Sequence, residues 1–161
     1  MNWDSSFENF KNYLKLERGL STNSIKSYEY DLNLFKNFIQ SNKMSDTPFN
    51  CRPETVKNYL YNNLSNKKSR SQARSISAIK SYFNYLIFEG YIKKSPISDI
   101  ESPKLEKKLP EVLTELEIEK LIKSFDMQQN FGQRNRTIIE VLYGTGIRVS
   151  ELVNLKLSNI F

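Results

Sequence analysis

Histidine is absent from this sequence, and cysteine occurs once, as Cys51. A structural zinc site needs several imidazole or thiolate ligands, and the Ser-His-Asp and Cys-His catalytic arrangements need a histidine. One cysteine excludes a disulfide within the chain and is typical of a reducing compartment. The composition therefore predicts a cytoplasmic protein with no metal centre.

Glycine and proline are scarce, at five residues each among 161, and no apolar run approaches the ~20 residues that a membrane span needs. Apolar side chains instead recur at steps of three or four residues, which is the spacing of an amphipathic helix rather than of a strand. The sequence therefore predicts an all-α chain without a membrane segment.

Four amphipathic helices are predicted in residues 1–90. Gly19 and Gly90 suit the positive φ that follows a helix, Ser21 or Thr22 suits an N-cap, and Pro53 suits a first turn. The predicted helices carry Trp3 to Leu14, Ile25 to Ile39, Val56 to Leu64, and about Ser69 to Glu89. We expect them to pack as one compact domain.

A segment with three prolines follows this domain. Pro96, Pro103 and Pro110 are spaced by seven residues, so residues 91–113 are predicted to form an extended linker.

Residues 114–161 carry further helix signals. Thr114 and Glu117 have the spacing of a capping box, and helices are predicted after it, at 133–142 and from Val149 to Leu155, with a break at 143–146. So short a unit buries its leucines only partly, so we expect it to be the truncated start of a larger domain.

The positive charge is unevenly distributed. Residues 1–110 carry 18 Lys and Arg against 11 Asp and Glu, whereas residues 111–161 carry six against seven. The densest part is a window without an acid, which holds Lys67, Lys68, Arg70, Arg74 and Lys80. Such a window can be ordinary solvated surface, but it favours nucleic-acid binding because Lys and Arg neutralise phosphates and release counterions.

Small side chains accompany these cations. On a helix, Ser77 and Ser81 share the side of Arg74, with Ala78 beside them, and would let the backbone approach a polyanion closely. The predicted DNA contacts are Lys67, Lys68, Arg70, Ser71, Arg74, Ser77 and Lys80. Thr22 and Ser24, at the start of the second helix, are weaker candidates, because an N-cap explains them equally well.

The segment 138–152, IIEVLYGTGIRVSEL, is the most specific motif in the chain. It resembles the "LLYxTGLRxSEL" signature of the tyrosine recombinases, the phage-integrase and Xer group. Residues 20–32, 74–86 and 102–114 are similar, in order, to the early N-terminal pattern, the fourth helix and the interdomain linker of that family. The resemblance therefore extends over nearly the whole chain.

The resemblance implies a fold and a reaction. Its fold is a four-helix SAM-like core-binding domain (1–90), a linker (91–113) and the first helices of an α+β catalytic domain (114–161), which together clamp double-stranded DNA. A catalytic tyrosine forms a 3′-phosphotyrosyl link that a 5′-hydroxyl reverses, so no cofactor is needed. The implied partners are DNA and other recombinase subunits in a tetramer, without a membrane or a small-molecule substrate. The implied process is chromosome-dimer resolution or integration.

Within the motif, Arg148 matches the first catalytic arginine of the family. A guanidinium stays charged and donates a planar pair of hydrogen bonds to two phosphate oxygens. Glu151, three residues later, is predicted to support that guanidinium, although an acid in a first helical turn also has an ordinary explanation.

The family's other catalytic parts have no match here. The nucleophilic tyrosine, the hairpin lysine and the second arginine all follow the first arginine in the family pattern, and histidine is absent. We therefore expect this chain to bind DNA and to cleave nothing by itself. Two alternatives stay open at this point: a non-catalytic DNA-binding accessory protein derived from the same fold, and a purely structural helical adaptor.

Overall fold

The computed structural model describes residues 2–65, 67–104, 109 and 111–159. It is helical, with no strand among those residues, so the all-α prediction is confirmed. The chain divides into two compact units, Met1–Lys107 and Lys108–Phe161. No helix in the described ranges is both long and apolar enough to cross a membrane.

Four helices build the first unit, at the places that the sequence predicts. Ser21 caps the second by accepting a hydrogen bond from the Ser24 amide, and Gly19 and Gly90 have φ of 58° and 75°. The third begins at a proline and widens into a π-helical turn at Leu60–Leu64. The helices are α1 Trp3–Leu16, α2 Thr22–Ser41, α3 Pro53–Tyr59 and α4 Ser69–Phe88.

The core of the first unit is rich in aromatic rings. Phe35 of α2 is fully buried and meets Trp3, Tyr59 and Phe83 edge-on, so it joins all four helices. The predicted apolar faces of these helices are therefore the ones that pack together. Leu14, Leu32, Val56, Ile79 and Leu86 complete the centre of this core.

A buried carboxylate fastens the start of α3. The Asp46 side chain accepts hydrogen bonds from the Arg52 backbone and guanidinium and from the Thr55 hydroxyl, while its carbonyl accepts one from Trp3 Nε1. Burial disfavours the charged form, but the hydrogen bonds from Arg52 and Thr55 outweigh it and lower the pKa of Asp46. Asp46 thus anchors Arg52 and Thr55 at the start of α3, where the Arg52 side chain makes no capping bond of its own.

The segment after α4 is irregular, as its prolines predict, but its first part packs on the helices. Ile97 is 1% exposed within the core, and Ile92 and Ile100 pack against it. This first part of the segment packs on the helices of the first unit, so an extended linker does not begin at Tyr91. Lys107, Lys108 and Pro110, which belong to the predicted linker, lie outside the described residues.

Among its described residues, the second unit contains the helices α5 Glu115–Lys123, α6 Gly132–Thr145 and α7 Val149–Val153, followed by a 3-10 turn at Leu157–Asn159. The predicted capping box is confirmed: Thr114 Oγ1 accepts from the Glu117 amide, and the Glu117 carboxylate accepts from the Thr114 amide.

The predicted break at 143–146 is wrong for its first three residues. Helix α6 continues through Gly144, and the Gly146 amide still donates to the Leu142 carbonyl before φ turns positive at Gly146. Helix α7 is correspondingly short and ends two residues before Leu155.

Candidate nucleic-acid interface

Helices α2 and α4 lie side by side and run in opposite directions. Lys67, just before α4, shares a groove with Ser41 and Asn42 at the end of α2, and Asp31 in the middle of α2 contacts Arg74. Arg18, just before α2, reaches the middle of α4 at Ser77. Positions far apart in sequence therefore line one exposed side of α4.

Along the middle of α4, a depression of about 350 Å³ presents cations and small polar groups. Arg18, Ser77, Lys80, Ser81 and Asn84 line it, with the rings of α1 and α4 behind them. Ser77 and Lys80 are therefore brought together. Arg18 and Asn84 join them, and neither was a candidate from the sequence.

A second depression, of about 400 Å³, lies directly beside the first, since Lys80 and Asn84 line both. Lys93, Lys94 and Ser98 form its other wall. None of the described residues that line either depression is acidic. Sequence analysis missed Lys93 and Lys94 because they follow α4; the only signal was their pairing directly after the Gly90 turn.

A side-chain amide at the start of α4 supports the residues that precede the helix. The Gln72 side-chain amide donates to the carbonyl oxygens of Leu64 and Lys67. Lys67, Lys68 and Arg70 are exposed, and Ser71 is half-buried beside them.

The cations of this surface, all of them exposed except the half-buried Lys80, are not neutralised by neighbours. In the described part of the chain, ion pairs form elsewhere, and none involves Arg18, Lys67, Lys68, Arg70, Lys80, Lys93 or Lys94. Their charge therefore remains available to an external anion.

Arg74 differs from the other cations, because it is paired. Its Nε lies 2.9 Å from Asp31 Oδ2, and its Nη2 lies 3.4 Å from Asp31 Oδ1. The Asp31 side chain is 2% exposed, whereas that of Arg74 is 46% exposed. The hydrogen bonds that Arg74 donates to Asp31 raise the pKa of Arg74 further above its ordinary value.

The small residues near these cations differ in exposure and in hydrogen bonding. Ala78 is fully buried in the core, so the prediction that it accompanies Ser77 on the exposed side is wrong: its angle on the helix turns it toward the apolar face. The Ser24 hydroxyl and amide both interact with Ser21 in the N-cap, while Thr22 is exposed as the first residue of α2.

In the second unit, the Gly146 turn places Arg148 immediately before α7. The Glu151 carboxylate accepts from the Arg148 amide at 2.8 Å and from its Nη1 at 3.0 Å. The Arg148 side chain is 82% exposed, so one nitrogen is held by Glu151 and the rest of the guanidinium remains open to solvent.

Tyr59, Tyr82 and Tyr85 are buried in the core of the first unit, and Tyr13 and Tyr28 pack against it. Burial raises the pKa of Tyr85 to about 12, and burial also raises that of Tyr82, although the Ser6 hydroxyl opposes it. Burial likewise raises the pKa of the Cys51 thiol to about 12, so the thiol is protonated at neutral pH.

Comparison with known proteins agrees with the motif. Residues 7–90 match the family described as "Phage integrase, N-terminal SAM-like domain", and residues 111–161 match the "Phage integrase family". The chain is 37% identical over 154 residues to "Tyrosine recombinase XerD" of Listeria monocytogenes and 38% identical over 154 residues to that of Staphylococcus epidermidis. Each alignment covers 95% of this chain and 52% of the relative, so the chain spans about half the length of these relatives.

A solved structure shares the fold. "Integrase from mycobacterium phage Brujita" superposes with a TM-score of 0.53 at 17% identity, covering 93% of this chain and 48% of the other. At that identity the likeness concerns the fold alone. The family matches over residues 7–90 and 111–161 show that the chain belongs to the phage integrase family, and relatives named tyrosine recombinase XerD match it along most of its length.

Proposed function

We propose that the first unit binds the backbone of double-stranded DNA along the exposed side of α4, as the DNA-binding portion of a site-specific tyrosine recombinase. The observation that carries this proposal is the pair of adjoining depressions lined by Arg18, Lys80, Lys93 and Lys94 without an acid. Lysine and arginine side chains in such a surface neutralise phosphates, and the released counterions drive binding.

The length of α4 suits an extended anion. From Arg70 to Asn84 the helix rises by about 21 Å, at roughly 1.5 Å per residue. One DNA strand carries a phosphate every ~3.4 Å along the helix axis, so cations at Arg70, Lys80 and Lys93 can meet different phosphates. Lys67, Lys68, Arg74, Ser71 and Ser77 are proposed contacts on the same side, with Thr22 and Ser24 at its margin.

For the second unit, we propose that Arg148 is the first catalytic arginine and Glu151 its support. The hydrogen bond from Nη1 to Glu151 orients the guanidinium, and the remaining donors suit the oxygens of a scissile phosphate. In this proposal residues 1–90 form the helical DNA-binding domain, the segment 91–113 connects the two units while its first part packs on that domain and adds Lys93 and Lys94 to the surface, and residues 114–161 start the catalytic domain.

The family relationship supports a wider proposal for the whole protein. It would break and rejoin DNA through a 3′-phosphotyrosyl intermediate, assembled with other recombinase subunits as a tetramer on DNA. Its process would be chromosome-dimer resolution or integration. The relatives that support this are those named tyrosine recombinase XerD.

Fluorescence anisotropy of a labelled duplex tests the DNA contact. We expect the affinity for DNA to fall steeply as the salt concentration rises. The double variant Lys93→Ala/Lys94→Ala should reduce the slope of log K against log salt concentration by about two, which corresponds to the loss of two phosphate contacts. The matched control is Lys15→Ala/Lys57→Ala, which removes the same charge from exposed positions outside both depressions. Equal losses in both double variants would contradict the proposed site, and no binding at low salt would contradict the proposed function.

A further inference from the structure

Asp31 is a buried carboxylate on the DNA-facing side of the first unit. Its side chain is 2% exposed, and both of its oxygens accept hydrogen bonds from Arg74. No other described residue donates to it within hydrogen-bonding distance. A buried carboxylate is costly unless it is paired and hydrogen-bonded, so Asp31 and Arg74 depend on each other.

The pairing leaves part of the Arg74 guanidinium unused. Nε and Nη2 face Asp31, while Nη1 makes no hydrogen bond to a described residue, and nearly half of the side chain is exposed. A guanidinium carries five N–H donors in one plane. The edge formed by Nη1 and the second hydrogen of Nη2 is therefore free to donate to two oxygens of one phosphate.

The position of Arg74 on α4 directs this edge toward the proposed DNA path. Arg70 lies one turn before it and Ser77 one turn after it, and both are exposed. The other cations on this side reach solvent without a partner that fixes their geometry. Arg74 is the one whose orientation is determined by the fold before any ligand is present, among the cations of this side that the structure describes.

We propose that Asp31 is a positioning residue for DNA binding, which holds Arg74 so that its free edge meets a backbone phosphate. The proposal rests on the proposed function of the first unit. Its physical basis is preorganisation: a long side chain loses rotamer freedom when it is immobilised, and folding has already imposed that loss on Arg74. A negative charge near the DNA path thus assists binding by geometry, although it opposes binding by charge.

The charge of Asp31 and its positioning of Arg74 have opposite effects on DNA binding, so a substitution of Asp31 distinguishes them. Asp31→Asn raises the net charge by one, so charge alone predicts binding that is unchanged or tighter. Positioning predicts weaker binding, because the Asn amide no longer provides two anionic acceptors and Arg74 becomes mobile. The two explanations therefore give opposite results for one substitution.

The experiment measures duplex binding by the 161-residue chain across a salt series, with circular dichroism to establish folding at the assay temperature. We expect Asp31→Asn to weaken binding by about fivefold. The slope of log K against log salt concentration should also fall by about one, which corresponds to the loss of one phosphate contact. In the Arg74→Ala background, Asp31→Asn should weaken binding no further, since the interaction it supports is already absent. The control Glu54→Gln makes the same charge change at an exposed residue of α3 and should leave binding unchanged or slightly tighter.

Arg74→Lys gives a second test that does not disturb the buried charge. Lysine keeps the positive charge and can pair with Asp31, but it lacks the planar fork that serves two partners at once. We expect this variant to fold and to bind DNA more weakly than the parent chain. Parent-like binding by Arg74→Lys, or by Asp31→Asn, would overturn the positioning role while leaving the proposed function intact. Failure of the parent chain to bind would overturn both.

Discussion

The two units of this chain contain similar helices but bury very different amounts of apolar surface. In the first, 18 apolar residues form one core around Phe35 and Tyr82. In the second, Gly132 is the one buried residue of those described, and Val153 and Leu157 are 76% and 89% exposed. Both units nevertheless have well-defined caps and helix ends.

This difference in buried apolar surface shows that helices can form in a unit that has little hydrophobic core. The capping box at Thr114 and the positive φ at Gly146 satisfy backbone groups within a few residues, so they need no distant partner. A core needs several apolar faces that cover one another, and fewer than ~60 residues seldom provide enough of them. We therefore expect substitutions of buried core residues to lower mainly the stability of the first unit. Substitutions of helix-capping residues should affect mainly the helices of the second unit.

Phe35→Ala is expected to cause the largest loss of stability in the first unit. Removing this fully buried ring should destabilise the first unit by about 3–5 kcal/mol, since it leaves a cavity among three aromatic neighbours. Urea unfolding followed by the fluorescence of Trp3, the single tryptophan, reports on this unit. Leu157→Ala, in the second unit, should shift that transition by less than about 0.5 kcal/mol. Similar shifts for both variants would show that the units share one core.

Asp46→Asn should lower the free energy of unfolding of the first unit by an intermediate amount, and this loss should depend on pH. Because its pKa is lower in the folded state than its ordinary value of 3.8, the ionised form adds stability above that pH, and the contribution is lost as the pH falls through the folded pKa. Asp46→Asn should cost about 1–3 kcal/mol at neutral pH, and the difference from the parent should shrink in acid. Trp3 fluorescence in urea, repeated from neutral to acid pH, measures this. A difference independent of pH would contradict the assignment.

The smallest effect is expected from Thr114→Ala in the second unit. Loss of the N-cap hydroxyl should increase amide exchange at Glu117 roughly fivefold, equivalent to about 1 kcal/mol, without altering the Trp3 transition. The pKa of Glu117, which hydrogen bonds from the Thr114 amide and hydroxyl lower, should move toward its ordinary value. Amide exchange and carboxyl titration by NMR measure both quantities. Thr114→Ser keeps the hydroxyl and should behave as the parent; equal changes in both variants would contradict the cap.

Most helix boundaries follow from the sequence because their causes are local. Ser21, Pro53 and Thr114 act within one turn, and the predicted starts agree with the structure. Helix α6 extends further toward Gly146 than the sequence predicts, since Gly144 weakens a helix without removing a hydrogen bond. Ala78 was assigned to the wrong side, because a residue between two faces is placed by packing rather than by spacing.

The candidate site was only partly predictable, for a related reason. The window from Lys67 to Lys80 is visible as a run of cations, but Arg18, Lys93 and Lys94 join it through folding. Arg74 was predicted as one more exposed cation, whereas its partner Asp31 lies 43 positions earlier on another helix. No spacing rule connects two such residues.

The order of residues by itself determined the helices, the family motif around Arg148 and the concentration of positive charge before residue 111. These depend on contacts within a turn or on composition, which a linear chain carries without folding. Tertiary structure alone decided which cations stand free, which one is bound to a buried carboxylate, and that Ile97 belongs to the core. Those outcomes depend on which distant side chains exclude water from one another, and only the packed chain brings these side chains together.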